Sequence, residues 1–393
     1  MNALILDVHL KGSLSVIRSL GRRGISVAAA AKRRSACGLH SRFVSKRFIY
    51  RSPKGLDVFY HDVERILDEL ASRPVVYAFS DATVLALARN EEIMSRVEML
   101  LPAGKDREIG FSKKETLARA QELGIPIPSM IAYRDGADLR DAVRDEKCPL
   151  VIKPQHSFVW VHGRGVRGDV SIAGSRDELV DEVERVYKQT TEWPLVQEYI
   201  EGEECGVEFL YVDGEAVLEC AHKRIRSLSP TGGASVVKET ISIPEDIGEM
   251  SRELLDSLSW HGPAMVEWKR DKDGNPYLME INGRFWGSLP VAVAAGLDIP
   301  YAYYRAASGE KVERSVCMSG VRTQHILGDI AHVLGVMGKK GYVEGKLYPN
   351  LAPTLKAFLS DLFSTQHDVW SLSDPLPAIW EIIDYGGKLL RKS

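Results

Sequence analysis

Nowhere in the 393 residues is there the run of ~18 consecutive apolar residues that a membrane-spanning helix needs. The opening stretch sets Asp7 and Lys11 where the apolar core of a secretory leader would have to run. Cysteine is scarce. The five, at positions 37, 148, 205, 220 and 317, include no C-x-x-C pair and are odd in number, which argues against a disulfide framework and suits a reducing cytosol. A surplus of charge is missing as well: 51 Lys and Arg stand against 54 Asp and Glu, a net charge of -3. So even a balance gives no electrostatic footprint for nucleic acid or for an acidic membrane. Internal repeats and low-complexity segments are also absent. Secreted, membrane-spanning and disordered classes are thereby excluded. What remains is a cytoplasmic globular chain, 45% hydrophobic and 27% charged, long enough for two or three domains.

What is present starts with alternation. Ala3 to Asp7 is short and apolar, residues 13–23 carry helical spacing, and Ile25 to Ala30 is apolar again. Strand character returns at Val75–Phe79, followed by a helix-like run from Thr83 to Arg96 and a short segment Met99–Pro102. This predicts an open α/β sheet over 1–112. Its first turn, Asp7 to Gly12, lacks the G-x-G-x-x-G phosphate cradle, which disfavours a nicotinamide or flavin site. From Ser112 the texture changes. Ser112 and Glu115 form a capping-box pattern for a helix over 112–123, stopped by Gly124 and held extended by Pro126 and Pro128. Pro149 to Pro154 reads as a strand carrying Lys153, and 162–168 is punctuated by Gly163, Gly165 and Gly168. Strands are expected at 195–200 and 205–212, with Asp213-Gly214 as a hairpin turn leading into 215–226. The region 311–393 is expected to be mostly helical, with Trp370, Trp380 and the basic tail packing onto the preceding domain rather than onto a membrane.

The most informative stretch runs from Ala264 to Asn282. Two apolar-rich runs flank Asp273-Gly274, a strong hairpin signal. If those two residues are the turn, Lys272 faces Asn275, and five positions further along Glu267 faces Glu280, with Cβ atoms ~4.5–5.5 Å apart. Asn282 projects from the same face. Opposed carboxylates repel, and a divalent cation removes the conflict. Two carboxylates and an amide oxygen form a hard, all-oxygen set suited to Mg²⁺. A three-residue loop would shift the register by one and separate the two acids.

In chain order stand Lys113 before a helix ending in GIPIP, Lys153 in VIKP, QEYIEGEE at 197–204, and the acidic hairpin ending MEINGR at 279–284. Together they resemble the ATP-grasp ligases, in particular their carboxylate–amine ligase branch. The resemblance implies an ATP-grasp fold over 113–310, split near 195 into a lid-side and a metal-side half. The preceding 1–112 looks like the open, Rossmann-like α/β domain that usually comes before it. It further implies that Lys113 (or its neighbour Lys114) and Lys153 reach ATP phosphates, and that Gly163, Gly165 and Gly168 form a mobile flap offering backbone N–H groups to them. Gln197, Glu198, Tyr199 and Ile200 match the adenine-binding linker, and Glu204, or Glu203, the ribose carboxylate. Glu267, Glu280 and Asn282 match the metal ligands for one or two Mg²⁺, or Mn²⁺. Arg284 matches the arginine that, with Lys153, steadies the transferring phosphoryl group.

Substrate-side candidates are His222, Arg224 and Arg226, which would share one strand face able to hold a carboxylate, and the small-residue loop with Gly233 and Ser235. The implied reaction couples a small-molecule carboxylate to an amine through an acyl-phosphate, with release of ADP. The implied partners are those small-molecule substrates; a homo-oligomer stays open, and 311–393 is open to capping the site, self-association or binding a partner. The competing readings are a regulatory ATP-binding protein, a nicotinamide oxidoreductase, and an acid–thiol or carboxylase-type ligase. No biotin-handling signature or thiol site is visible in the sequence.

Overall fold

The computed structural model describes residues 2–339 and 348–390. The first layer comprises β1 (Ala3–Ile5), α1 (Ser13–Arg22), β2 (Val27–Ala31), β3 (Val44–Ile49), α2 (Leu56–Leu70), β4 (Val75–Tyr77), α3 (Asp81–Ala88) and α4 (Glu91–Ser95). Its strands are parallel in the order β3-β2-β1-β4. Ala3, Ile5, Val27 and Ala29 pack with α1, while Leu4, Ala28 and Val76 face α2. Burial on both faces is why these strands read as unbroken apolar runs. The expected helix over 83–96 is two helices, because Asn90 breaks it and caps the second by accepting from Ile93 N at 2.9 Å. Met99–Pro102 forms no strand. Gly12 fills no phosphate role: a Cβ there would meet the Trp286 carbonyl at 2.5 Å, so it lets a later loop approach.

The second layer follows α5 (Gly104–Phe111) and α6 (Lys113–Glu122), which Ser112 caps through Glu115 N at 3.3 Å. It contains β5 (Met130–Ile131), α7 (Gly136–Ala142), β6 (Leu150–Lys153), β7 (Phe158–Val161), β8 (Arg164–Arg167), β9 (Ser171–Ala173), α8 (Arg176–Thr190) and β10 (Leu195–Glu198). The sheet β5-β10-β6-β9 buries Leu150, Ile152 and Val196 against α7 and α8. The glycine-punctuated segment is a β7–β8 hairpin, turning at His162-Gly163 with φ of 48° and 75°. It is docked rather than loose. Gly165 N donates to Lys54 O at 2.8 Å, and Trp160 Nε1 donates to Pro53 O at 2.9 Å.

The third layer is the large sheet. It holds β11 (Gly202–Val212), β12 (Glu215–Ser229), β13 (Gly232–Ile241), α9 (Glu245–Asp256), β14 (Gly262–Asp271), β15 (Pro276–Asn282), α10 (Leu289–Ala294) and α11 (Ile299–Ala307). After these come β16 (Ser315–Val316), β17 (Arg322–Gln324), α12 (Ile326–Met337), α13 (Leu351–Ser364), β18 (Gln366–His367) and α14 (Leu376–Leu390). Strand order is β15-β14-β11-β12-β13-β17-β18, with β16 on β12. Val207, Phe209, Val266 and Trp268 bury one face with α6 and α9, leaving Gly206, Glu208 and Glu267 on the other. The Asp213-Gly214 turn forms as expected, with Val212 opposite Glu215.

Two expectations are corrected here. Cys220 and Cys317 are joined as a disulfide, because β16 pairs with β12 beside them and brings together residues 97 apart in sequence. Of the two tryptophans, Trp380 packs inward, stacked on His40 at 3.8 Å, but Trp370 is exposed.

Candidate active site

The acidic pair is opposed as the sequence arithmetic requires, but by another route. Near the turn Arg270 pairs with Pro276 and Trp268 with Leu278, one residue out of the expected register, around a longer loop closed by Asp271 N to Asn275 O at 3.0 Å. A β-bulge between Glu267 and Trp268 absorbs Met279, and beyond it Glu267 faces Glu280. Without the bulge Glu267 would oppose Met279, and the two carboxylates would point to opposite faces. Asn282 Nδ2 donates to Glu267 Oε1 at 2.9 Å and to Glu280 Oε1 at 3.4 Å. Gly206 lies beside Glu267 in the neighbouring strand, and a Cβ there would meet His222 Cε1 at 2.8 Å, so the glycine makes room for that ring.

Three cations surround this pair. Lys113 Nζ lies 2.9 Å from Glu280 Oε2 and donates to Ser157 Oγ at 2.7 Å, while Lys114 points to solvent. Lys153, buried at the end of β6, reaches Met279 Sδ at 3.8 Å. Arg284 donates to Asn282 Oδ1 and to Asp81 Oδ1, each at 2.8 Å. Burial works to raise the Glu280 carboxyl, but Lys113, Lys153 and Arg284 outweigh it and hold it at about 2. Glu267 is raised, by burial first and by Glu280 second. Burial pulls Lys153 down to about 8 against the attraction of Glu280.

Among the described residues no cluster of three His, Cys, Asp or Glu side chains forms a metal site. A cation here would therefore depend on Glu267, Glu280, the Asn282 amide turned over to present oxygen, and ligands carried by a substrate. The donor chemistry fits such an ion: the Asn282 nitrogen now lies between two acids of which one is pushed toward its protonated form.

The remaining sequence-assigned residues divide. Gln197 is buried, and both of its amide atoms lack a partner, which marks a place for a polar ligand. Glu198 is turned away, its Oε1 accepting from Ser129 N at 2.7 Å. Tyr199 lies under Lys269 Nζ, 5.2 Å from its ring centre, and Ile200 is buried. Glu204 faces Lys269 at 3.3 Å and pairs with Arg224, whereas Glu203 is exposed. Gly163 sits at the hairpin tip, while the Gly165 N–H is committed to Lys54 and not free for a phosphate.

The shared face of Arg224 and Arg226 is a misreading. Register shifts in β12 between Arg224 and Ser227 break the alternation. Arg226 instead enters a buried clasp with Asp329 at 2.7 Å and Asp361 at 2.5 Å. Arg224 is occupied by Glu204. The loop with Gly233 and Ser235 is largely strand β13, and Ser235 offers its carbonyl to Lys11 Nζ at 2.9 Å.

Several residues at this face had no sequence signal. Asp81 begins α3 in the first layer and fixes Arg284, which follows β15 of the large sheet. Its only cue is Ser80, which caps that helix. Along the same sheet face, Glu208 accepts from Ser288 Oγ at 3.0 Å and lies 3.1 Å from His222 Nδ1. Fully buried Lys238 pairs with Asp368, which Lys11 also reaches at 3.0 Å. Burial lowers Lys238 to about 7, against the pull of Asp368.

The geometry agrees with known proteins at the level of fold. A family described as "ATP-grasp in the biosynthetic pathway with Ter operon" matches residues 190–328. No curated protein sequence matches the chain. Among solved structures, the biotin carboxylase domain of Hydrogenobacter thermophilus 2-oxoglutarate carboxylase, with MgADP, ADP and bicarbonate, superposes with a TM-score of 0.62 at 18% identity, covering 82% of this chain and 73% of that one. An L-amino acid ligase from Bacillus licheniformis gives 0.59 at 19%, covering 79% and 76%. Biotin carboxylase from Campylobacter jejuni, as a β-γ-ATP complex, gives 0.60 at 13%, covering 79% and 72%. Together with the Rossmann-like first layer, the two sheets around Lys153 and Glu280 and the helical C-terminal region, these likenesses give the chain the ATP-grasp fold in the architecture of the biotin carboxylases.

Proposed function

We propose that the protein is an ATP- and Mg²⁺-dependent ligase that activates a substrate carboxylate as an acyl-phosphate and couples it to an amine. The observation that carries this reading is the bulge that sets Glu267 against Glu280 within reach of Lys113, Lys153 and Arg284. Two acids and three cations on one face suit a nucleotide's phosphates and their magnesium, and little else explains a bulge placed at that step. Glu267, Glu280 and Asn282 would hold the metal, which supplies charge neutralisation at the phosphates.

Lys113 and Lys153 then bind phosphate oxygens as point charges. Gln197, with its buried amide unpartnered, and the backbone of Glu198 to Ile200 would hold the base. Glu204 is the ribose candidate once it leaves Arg224. Arg284, oriented by Asp81 and Asn282, is placed to steady the group in transfer, so catalysis rests on position and charge rather than on a protein nucleophile. Two proteins of similar fold, a biotin carboxylase domain in complex with bicarbonate and an L-amino acid ligase, suggest bicarbonate and amino acids as the first acids to try.

The test is ADP release from Mg·ATP over a panel of carboxylic acids that includes bicarbonate and amino acids, with hydroxylamine to trap acyl-phosphates. A hydroxamate from one acid, lost in Glu280→Gln with the melting curve kept, supports the reading. Turnover unchanged in Glu280→Gln would sink the metal assignment, and ADP release with bicarbonate alone would replace amide formation by carboxylation.

A further inference from the structure

A groove of about 680 Å³ lies between α1, α10 and the chain that follows β17 and β18, apart from the cleft of the acidic pair. Its walls differ in kind. Arg18, Ser19 and Arg22 form a polar stripe on successive turns of α1, and Pro290, Val293 and Ala294 form an apolar stripe along α10. The rim is the loop 370–373, and Arg18 holds both of its ends. Its Nη2 donates to Val369 O at 2.7 Å and to Asp374 O at 3.1 Å, and its Nε donates to Asp374 Oδ2 at 3.0 Å. Ser41 Oγ and Arg42 N close on the same carboxylate at 2.8 and 2.9 Å. The groove is therefore preformed, and its volume is that of a small-molecule site.

The polar groups that line it are not satisfied by the protein. Thr323 and Asp368 are 2% and 3% exposed, and the Thr323 hydroxyl and Asp368 Oδ1 have no hydrogen-bond partner among the described residues. Asp368 Oδ2, by contrast, takes Lys238 and Lys11. Arg22 is exposed on the α1 wall and enters no ion pair among the described residues. Buried polar atoms left open in this way call for a ligand that meets them. A free guanidinium suits a carboxylate, and a free carboxylate oxygen, which can only accept, suits an N–H donor. The α10 stripe and Trp370, 45% exposed, suit an apolar side chain. Carboxylate, ammonium and apolar side chain on one small molecule make up an α-amino acid. Position sets the groove apart from the reaction. From Glu267 on β14 to Thr323 on β17 the sheet passes through β11, β12 and β13, four strand steps and roughly 19 Å. A single amino acid seated in the groove does not reach the acidic pair across that span.

We propose that the groove between α1 and α10 is a second small-molecule site, which binds an α-amino acid with an apolar side chain as its zwitterion. The experiment is calorimetric titration of the full-length protein, without nucleotide, with L-phenylalanine and L-leucine. Phenylpropionate, which lacks the ammonium, and phenethylamine, which lacks the carboxylate, are titrated beside them. The expected result is binding of the amino acids, with each half-molecule weaker by about tenfold or more, the worth of a hydrogen bond to a charged group. Arg22→Ala and Thr323→Val should each weaken the amino acids, Arg22→Ala by about tenfold. Both should keep the wild-type melting curve, since neither side chain gives up a hydrogen bond within the protein. Failure of both amino acids to bind at millimolar concentration overturns the proposal. Binding that neither substitution changes also overturns it, by placing the molecule elsewhere, and phenylpropionate that binds as tightly as phenylalanine overturns the zwitterion. With nucleotide absent, the titration and the test of ligase activity fail independently.

Discussion

Arg226 offers the sharpest choice between a substrate-binding arginine and a structural one. Its guanidinium donates to Asp329 through Nε at 2.8 Å and a terminal nitrogen at 2.7 Å, and to Asp361 at 2.5 Å. Side-chain exposures are 8% for Arg226, 0% for Asp329 and 4% for Asp361, so the triad is out of water. Asp361 keeps a second partner in Arg322 at 3.0 Å, and Asp329 keeps Gln324 Nε2 at 2.7 Å. Arg322 still neutralises Asp361, but the neutral Gln324 amide cannot replace the charge that Asp329 loses in Arg226→Met, which strands one buried carboxylate. Breaking a buried pair from one side costs about 3–5 kcal/mol. For a chain of this size, at the lower end of the usual sensitivity of roughly 2 °C per kcal/mol, the melting temperature should fall by roughly 6–10 °C.

The companion variant separates charge from shape. Arg226→Met with Asp329→Leu removes both the cation and the acid it stranded, so part of the loss should return, with a coupling of about 0.5–3 kcal/mol. Thermal melts give the stability, and ADP release at saturating Mg·ATP gives the activity. A structural Arg226 leaves KM for the acid near wild type in whatever fraction stays folded. An Arg226→Met protein that melts like wild type but has lost turnover, or needs far more acid, would refute the clasp and return Arg226 to the substrate pocket.

Two further outcomes follow from the site. Asp81→Asn weakens the hold on Arg284, whose Nε contact with Asp81 spans 2.8 Å; turnover should drop about 10–100-fold with the melting curve kept, and unchanged turnover would free Arg284 of any need for that partner. Lys153 is held at about 8 by burial, so it is charged below that pH and neutral above it. Since only the cation attracts phosphate, kcat/KM for Mg·ATP should be flat below pH 8 and fall about tenfold per unit above it. Lys153→Arg should keep the profile flat through that range, and a fall that persists in the arginine variant would assign the titration elsewhere.

How much of this was legible in the sequence depends on the range of the interactions involved. Local signals carried well: Ser112 caps its helix, Asp213-Gly214 turns its hairpin, and the alternation of apolar strands with helices builds the parallel sheet. The acidic pair was located correctly on a mistaken turn. The loop is longer than two residues, and the bulge at Met279 restores the register that the loop displaces. Periodicity assumes a regular ladder, so it has no means of placing a bulge, and the same blindness put Arg226 on the wrong face of β12. Strands of two residues, such as β16 and β18, carry too little pattern to be read at all, and with β16 went the Cys220–Cys317 bridge.

Charge shows the same division between what a sum records and what a fold arranges. A net charge of -3 over the chain argued against any acidic surface as a partner. That sum treats each charge as exposed, yet the acids of the C-terminal segment are spent on Arg18 and Arg33 of the first layer and on Lys238 and Arg226 of the large sheet. The pairs cancel in the total and also in the field that reaches solvent. What solvent meets is the remainder, and along α12 to α14 the described remainder is largely apolar, with Leu334, Leu355 and Phe363 exposed. The ion pairs that fasten these helices to the protein thus also set the polarity of their outer side, because each acid they use is turned inward. Arg226→Met therefore bears on more than stability. If the clasp opens and α13 turns, Asp361 reaches solvent and the apolar outer side of the helix loses its alignment.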